Sequence, residues 1–472
     1  MKTGDEYFDS KEFQERLAIY EESVSSGQPV FMDAEELAEI ADYYQMTYRK
    51  DKADEAIDLA LSLAPGGIAP LTYKIHESLF NHQIDDAERY FSQITETDAP
   101  DYVYDQAEIM IAKGEIQEAD TMLHDLLDKT PDEERQDFIF DIASIFQDYG
   151  IYDKAMEWIK MASREDTPEF KELMARTYFG LGHYKDSEKL FNELIDTNPF
   201  SKNYWKALAN IQLMNENFSG AIQSSEYAIA IDPDDPDSLM AKANGLYELG
   251  NYQDALDYYE RYVKLDDSDE VVLLRLGTCL INVERADQAI QVLDKALKKA
   301  AADSPSLVDI YQELAFAYGL KGDTDKAIAC LDKTEDLDCD HADMEVLKGH
   351  ILLGNNRIME AQEHFRKAII DTQTPQQTFL RIIVSTYDNK YVQTAYQLFL
   401  RYFKEYGDET NEGYAYMALC CHDLKRDDEF LHYLKKACEV CPQECKSVLS
   451  SFFPEDMTPK DYYEYIKKQM NS

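Results

Sequence analysis

Positive charge is what this sequence lacks most. Its 472 residues carry 47 Lys and Arg against 93 Asp and Glu, a formal charge of −46. Binding a phosphate backbone takes an excess of cations that displace counterions, so nucleic acid is excluded as a partner class. The same deficit excludes an anionic membrane surface. Long apolar runs are missing too: no stretch reaches the ~18 residues of a membrane-spanning helix, so no such segment is expected. The opening MKTGDEYFDS has no apolar core of a secretory signal, and a cytoplasmic location is the expectation. Cysteine is scarce and irregular, eight in all with five after residue 415. That pattern is no disulfide framework and fits free thiols in a reducing compartment. Catalytic signatures are absent as well. There is no GxxxxGK[ST] loop, no GxGxxG, HExxH or GxSxG and no kinase motif, so neither an enzyme nor a cofactor is expected. Neighbouring carboxylates carry no information where 93 residues are acidic.

Apolar residues, by contrast, make up 44% of the chain, enough for a large core, and they recur with a period. Ala221, Ala255 and Ala289 stand 34 residues apart, Ala327 follows after 38, and Ala361 and Ala395 after 34 each. Backwards from 221, the same slot holds Ser187, Ala155, Ala119, Ala87 and Ala53, and only the last unit breaks it, with Phe430. Twelve residues before each of these lies a second small slot, filled by Ala41, Ala107, Ala143, Ala175, Ala209, Ala243, Gly277, Ala315, Gly349 and Ala418, with Ile75 and Ile383 as exceptions. Four residues after the first slot comes a large apolar side chain such as Ile57, Phe191, Tyr259, Leu293 or Phe365, with Ser225 as the exception. Each unit thus contains two amphipathic helical segments. A short break such as Gly150–Asp153 or Gly250–Tyr252 parts them, where Gly supplies the left-handed turn. Small residues on facing helices allow close approach, and the large one fills the adjoining gap. Proline agrees: all 14 fall in junctions or at helix starts, none in a helix interior.

This pattern resembles the tetratricopeptide repeat family. Trp205, Leu208, Ala209, Ala221, Ala228 and Pro233 meet its motif, as do Leu239, Ala243, Gly250, Tyr252, Ala255 and Tyr259. The resemblance implies an all-α fold, a right-handed α-solenoid of helical hairpins. About twelve units would run over 34–442, with a capping helix in 1–33 and closing helices in 443–472. The long junction 298–305 is expected to extend a helix, Ala and Lys being good helix formers; the alternative is a hinge between sub-arrays.

By the same resemblance, the first helix of each unit lines a concave groove, and the chain is a non-enzymatic scaffold binding a peptide segment or helix of a partner protein. In the first five units the inward positions hold Glu35, Asp42, Asp101, Glu108, Asp137, Asp148, Glu169 and Glu172, offset by Arg176 alone. The first 150 residues carry 11 basic against 36 acidic side chains, a field that would attract a basic segment. Further along, the inward positions hold Asn203, Lys206, Asn210, Leu213, Met240, Asn244 and Tyr247, joined by Arg275. Asn can bond the backbone of an extended peptide, and Tyr and Met add adaptable apolar contact. Lys206, Asn210 and Arg275 match three of the five residues with which one subfamily clamps C-terminal carboxylates. Ala241 and Val271 stand at the other two, so that clamp is incomplete. Two alternatives remain open. The tail carrying Tyr462, Tyr463 and Tyr465 could dock into a second copy, leaving the oligomeric state open. Cys420, Cys421, His422, His432, Cys438, Cys441 and Cys445 could hold zinc, although Cys421 and Cys438 sit at packing slots where Cys acts as a small hydrophobe, so no metal is expected.

Overall fold

A computed structural model describes residues 7–8, 10–47, 49–163, 167–407, 410–454 and 457–470. They are helices joined by short turns, with no strand among the described residues. None of these helices is long and apolar enough to cross a membrane. The chain forms two compact units, Met1–Ile231 and Asp232–Ser472.

In the first unit, α1 (Lys11–Ser26) leads into six hairpins: α2 (Ala34–Met46) with α3 (Lys50–Leu63), α4 (Ile68–Phe80) with α5 (Ile84–Phe91), α6 (Pro100–Ala112) with α7 (Ile116–Leu127), α8 (Arg135–Asp148) with α9 (Tyr152–Ile159), α10 (Pro168–Gly180) with α11 (Tyr184–Thr197), and α12 (Lys202–Met214) with α13 (Phe218–Ile231). The second unit continues the scheme. It pairs α14 (Pro236–Glu248) with α15 (Tyr252–Leu265), α16 (Glu270–Asn282) with α17 (Ala286–Lys299), α18 (Leu307–Leu320) with α19 (Thr324–Asp332), α20 (His341–Gly354) with α21 (Ile358–Asp371), α22 (Pro375–Asp388) with α23 (Val392–Tyr406) and α24 (Tyr414–Asp423) with α25 (Asp427–Val440). Helices α26 (Pro442–Leu449) and α27 (Pro459–Met470) follow. Within each unit, helices pack on their sequence neighbours, so each is an all-α solenoid of hairpins.

The small slots explain that packing. Ala221, Ala255, Ala289, Ala327, Ala361 and Ala395 are wholly buried, and so are Ala209, Ala243 and Ala315 on the facing helices. Where the slot holds Ser187, its hydroxyl crosses the hairpin and donates to the Ala175 carbonyl at 2.7 Å, a direct measure of how close the backbones come. Phe430, the exception, is buried as well.

The turn between paired helices needs one residue with positive φ. Gly250 (φ 74°) and Gly322 (φ 82°) supply it, but His82, Glu216, Glu284, Asn356, Lys390 and Lys425 adopt φ between 57° and 68° in the same role. A side chain costs about 1–2 kcal/mol in that conformation, partly offset by the extra chain entropy a glycine loses. Glu216→Gly and Glu284→Gly are therefore expected to raise stability by about 0.5–1 kcal/mol each, and Gly250→Ala to lower it by a similar amount. Urea midpoints at constant slope check this.

One expectation is corrected. The 298–305 run does not lengthen a helix: α17 stops at Lys299, Ala300 turns extended (ψ 133°), and α18 begins only at Leu307. Pro305 has no amide to continue a ladder. The Ser304 hydroxyl accepts the Ser306 N–H and donates to Glu270 at 3.2 Å, fixing a turn that helix propensity alone would not choose.

At the beginning, α1 buries Phe13, Leu17 and Tyr20 against α2 and α3. Arg16 ties it to Glu36 and Glu39. At the other end, Glu444 of α26 accepts the Gly413 and Ala415 N–H groups at 2.6 and 2.8 Å, satisfying buried amides at the start of α24 that have no partner within the helix. Tyr462 of α27 is buried and stacks on Phe453 at 3.6 Å, so this tail tyrosine is spent within its own chain.

Candidate functional site

In the first unit, the first helices of successive hairpins bring acids around one imidazole. Thr72 and His76 come from α4, Asp105 and Glu108 from α6, Asp42 from α2, and Asp148 with Tyr149 from the end of α8. His76 Nε2 lies 3.2 Å from Glu108 and 3.5 Å from Asp105. Thr72 donates to the second Asp105 oxygen at 2.6 Å and Tyr149 to Glu108 at 3.0 Å. Asp105 is fully buried, and its oxygen nearest His76 has no closer hydrogen-bond donor. Asp42 and Asp148 are exposed and half of the His76 side chain is too, although many protein atoms surround all three.

Electrostatics follow from that crowding. Burial pushes the Asp42 carboxyl up to about 6, with Glu39 adding and His76 opposing. Burial likewise raises Asp105 and Asp148. For His76, burial works against the charged ring, but hydrogen bonds to Asp105 and Glu108 prevail and push it up to about 10. A raised histidine contributes stability fully below its unfolded pKa of ~6.5 and loses it as pH climbs towards 10. The His76 ring is therefore expected to stay protonated at pH 8 by NMR titration. Glu108→Gln should bring its midpoint down towards that of a free histidine.

Glu35, Asp101, Asp137 and Glu169, anticipated in the same set, are exposed, and Glu172 is paired with Arg176 at 2.7 Å. Asn203, Lys206, Asn210 and Leu213 form one stripe along α12, with Asn210 exposed and the others half-buried. Beside them Trp205 stacks on Tyr227 at 4.4 Å. A hollow of about 680 Å³ bordered by Val103, Gln106 and Met122 shares no residue with either group.

In the second unit, Met240, Asn244 and Tyr247 share a face of α14, and α16 brings Arg275 to them. Asn244 Oδ1 accepts from Tyr259 at 2.7 Å and from Arg275 at 3.0 Å, which leaves its NH₂ as the group it can offer. The Arg275 guanidinium lies 5.3 Å from the Tyr247 ring centre and 3.7 Å from Glu248. Two residues that the sequence did not single out complete the cluster. Burial pushes the Glu313 carboxyl up to about 7 and raises Tyr247 too, outweighing the Thr278 hydroxyl, which donates to the Leu274 carbonyl at 3.2 Å and holds down the pKa of both. Their only sequence signal is register: Thr278 and Glu313 sit on the first helices of the next two hairpins.

The cysteines and histidines near the C-terminus do not gather around a metal position. Cys420 and Cys421 are buried in the core, and His422 packs edge-on against Phe430 and Phe452. Among the described residues no three His, Cys, Asp or Glu side chains converge to hold an ion.

Comparison with known proteins places this geometry among helical repeats. A family model of the anaphase-promoting complex, cyclosome, subunit 3, matches residues 214–296, and tetratricopeptide repeat models match 173–236 and 308–338. Over 158 residues the chain is 27% identical to BBSome complex member BBS4 of Bos taurus, a match covering 33% of this chain and 30% of that protein. The chain thus spans less than a third of that relative. The C-terminal part of a repeat-containing protein from Cytophaga hutchinsonii superposes with a TM-score of 0.42 at 18% identity, covering 52% of this chain and 99% of the other. A tetratricopeptide repeat protein from Parabacteroides merdae gives 0.35 at 12% identity, covering 60% and 97%.

Proposed function

We propose, from the premise that the chain belongs to the tetratricopeptide repeat family, that it is a non-enzymatic scaffold that holds a segment of a partner protein. The observation that carries this reading is the cluster of Asn244, Tyr247, Arg275 and Glu313. It combines amide donors, an aromatic face, one cation and one carboxylate, all partly open to water, the mixture that recognises a peptide backbone and its side chains. Asn203, Lys206, Asn210 and Leu213 offer a second contact stripe of the same kind. The acidic hollow of the first unit adds a preference for a basic segment, since crowded carboxylates held above their ordinary pKa gain most from an incoming cation. A cytoplasmic location fits the eight free thiols.

The test is affinity capture from native cell extract at two ionic strengths. Replacing Asn210, Asn244 and Arg275 together with alanine should cut capture of the partner at least tenfold, because a few polar anchors covered by the partner dominate binding energy. Asn210 is exposed, but Asn244 also accepts from the hydroxyl of buried Tyr259, so the thermal midpoint should fall modestly while the helical circular dichroism persists. Retention that is lost at high salt in the parent protein would assign the acidic hollow a share in binding. Undiminished capture by the triple variant defeats this reading.

A further inference from the structure

Three cysteines lie between positions 438 and 445: Cys438 in the last turn of α25, Cys441 at the junction and Cys445 inside α26. All are free thiols, and the Sγ atoms of Cys438 and Cys445 stand 3.5 Å apart. We propose that Cys438 and Cys445 are a peroxide-responsive dithiol, in which a hydroperoxide oxidises Cys438 and Cys445 then closes a disulfide that staples α26 to α25.

Position assigns the two roles. Cys438 is half-buried and within reach of a small oxidant, whereas Cys445 is fully buried and meets only what Cys438 has become. Bringing the sulfurs to bonding distance takes an approach of about 1.5 Å, within the range of a side-chain rotation. Protonation supports the same order. The two sulfurs share a hydrogen bond, and this contact, opposed by burial and helped by the Tyr463 backbone, holds Cys438 below an ordinary thiol. That same bond, together with burial, keeps the proton on Cys445. Burial pushes Cys441, Cys420 and Cys421 up to about 12, so these neighbours remain poor nucleophiles.

The chemistry balances in two steps. The Cys438 thiolate attacks one peroxide oxygen, the O–O bond breaks, and a sulfenic acid forms while the second oxygen leaves, protonated, as water or an alcohol. The Cys445 sulfur then attacks the sulfenyl sulfur, the S–O bond breaks, and the S–S bond forms as hydroxide leaves with the Cys445 proton as water. The peroxide takes up two electrons and the two thiols lose them.

The experiment treats the reduced full-length chain with hydrogen peroxide and reads intact mass and non-reduced peptide maps. The expected result is loss of two hydrogens, a link between the peptides of Cys438 and Cys445, and recovery of both thiols with a dithiol reductant. Cys441→Ser should retain the link, and Cys438→Ser should abolish it while keeping the parent's circular dichroism and thermal midpoint. A link made instead to Cys441, a disulfide between two chains, or over-oxidation of Cys438 with no link would overturn the proposal. The mapping of the parent protein decides it even if a variant fails to fold.

Discussion

Trp158→Ala is expected to destabilise the first unit by about 3–5 kcal/mol. Trp158 is among the largest wholly buried side chains, and three successive helices meet on it. Its ring lies against His124 of α7 at 4.4 Å and Phe138 of α8 at 6.3 Å, while it stands on α9 itself. Its indole N–H donates to Asp120 at 2.9 Å, and that buried carboxylate also receives Lys154 at 2.8 Å. Alanine leaves a cavity and strips the acid of one of its two strong donors, so the transfer, cavity and hydrogen-bond losses add. In a repeat array each unit leans on its neighbours. The damage should therefore spread to amides of α7, α8 and α9 and leave α1 protected. Trp205 provides the comparison, since it is only half-buried and its N–H reaches the exposed Pro199 carbonyl. Trp205→Ala should cost clearly less. Denaturant midpoints with amide exchange measure both effects, and a Trp158→Ala loss below about 1 kcal/mol would contradict this account of the core.

How far the sequence foretold the structure depends on which residues repeat. Ala221, Ala255 and Ala289 recur because every hairpin imposes the same steric demand, and a demand repeated along the chain is visible without coordinates. The all-helical hairpin array was legible for that reason. The turn residues were legible only where they are glycine: Glu216, Glu284 and Lys425 take the same left-handed conformation, and nothing in their chemistry announces it. The 298–305 junction misled because local propensity favours a helix, while the Ser304 contact to Glu270 that fixes the turn joins residues far apart in sequence. Polar clusters were the hardest to foresee. Asn244 and Arg275 could be named as neighbours from register, but not that Tyr259 and Arg275 would share the same amide oxygen. His76 gave no signal, since its role depends on Asp105 and Glu108 arriving from the next hairpin. Such contacts occur once each, and a single occurrence leaves no period to detect.

The repeating slots lead to the second large effect. Gly277 stands where most units have alanine, and a Cβ built there would lie 2.5 Å from Leu293 Cδ2. Leu293 is the large apolar residue of the same hairpin and is wholly buried, so it cannot swing away. Gly277→Ala replaces a poor helix former with the best one, which by itself would gain about 1 kcal/mol. The clash should reverse that sign and leave a net loss of about 1–2 kcal/mol, and Gly277→Leu should cost about 3 kcal/mol or more. Leu293→Ala alone should lose about 2–5 kcal/mol by opening a cavity. In the double variant, Gly277→Ala with Leu293→Ala, the added methyl group occupies space the leucine has vacated. The two changes should then be less damaging together than their sum by more than about 0.5 kcal/mol. Strict additivity in that cycle would mean that the small and large slots do not pack as a complementary pair, and the steric reason for the 34-residue pattern would fall with it.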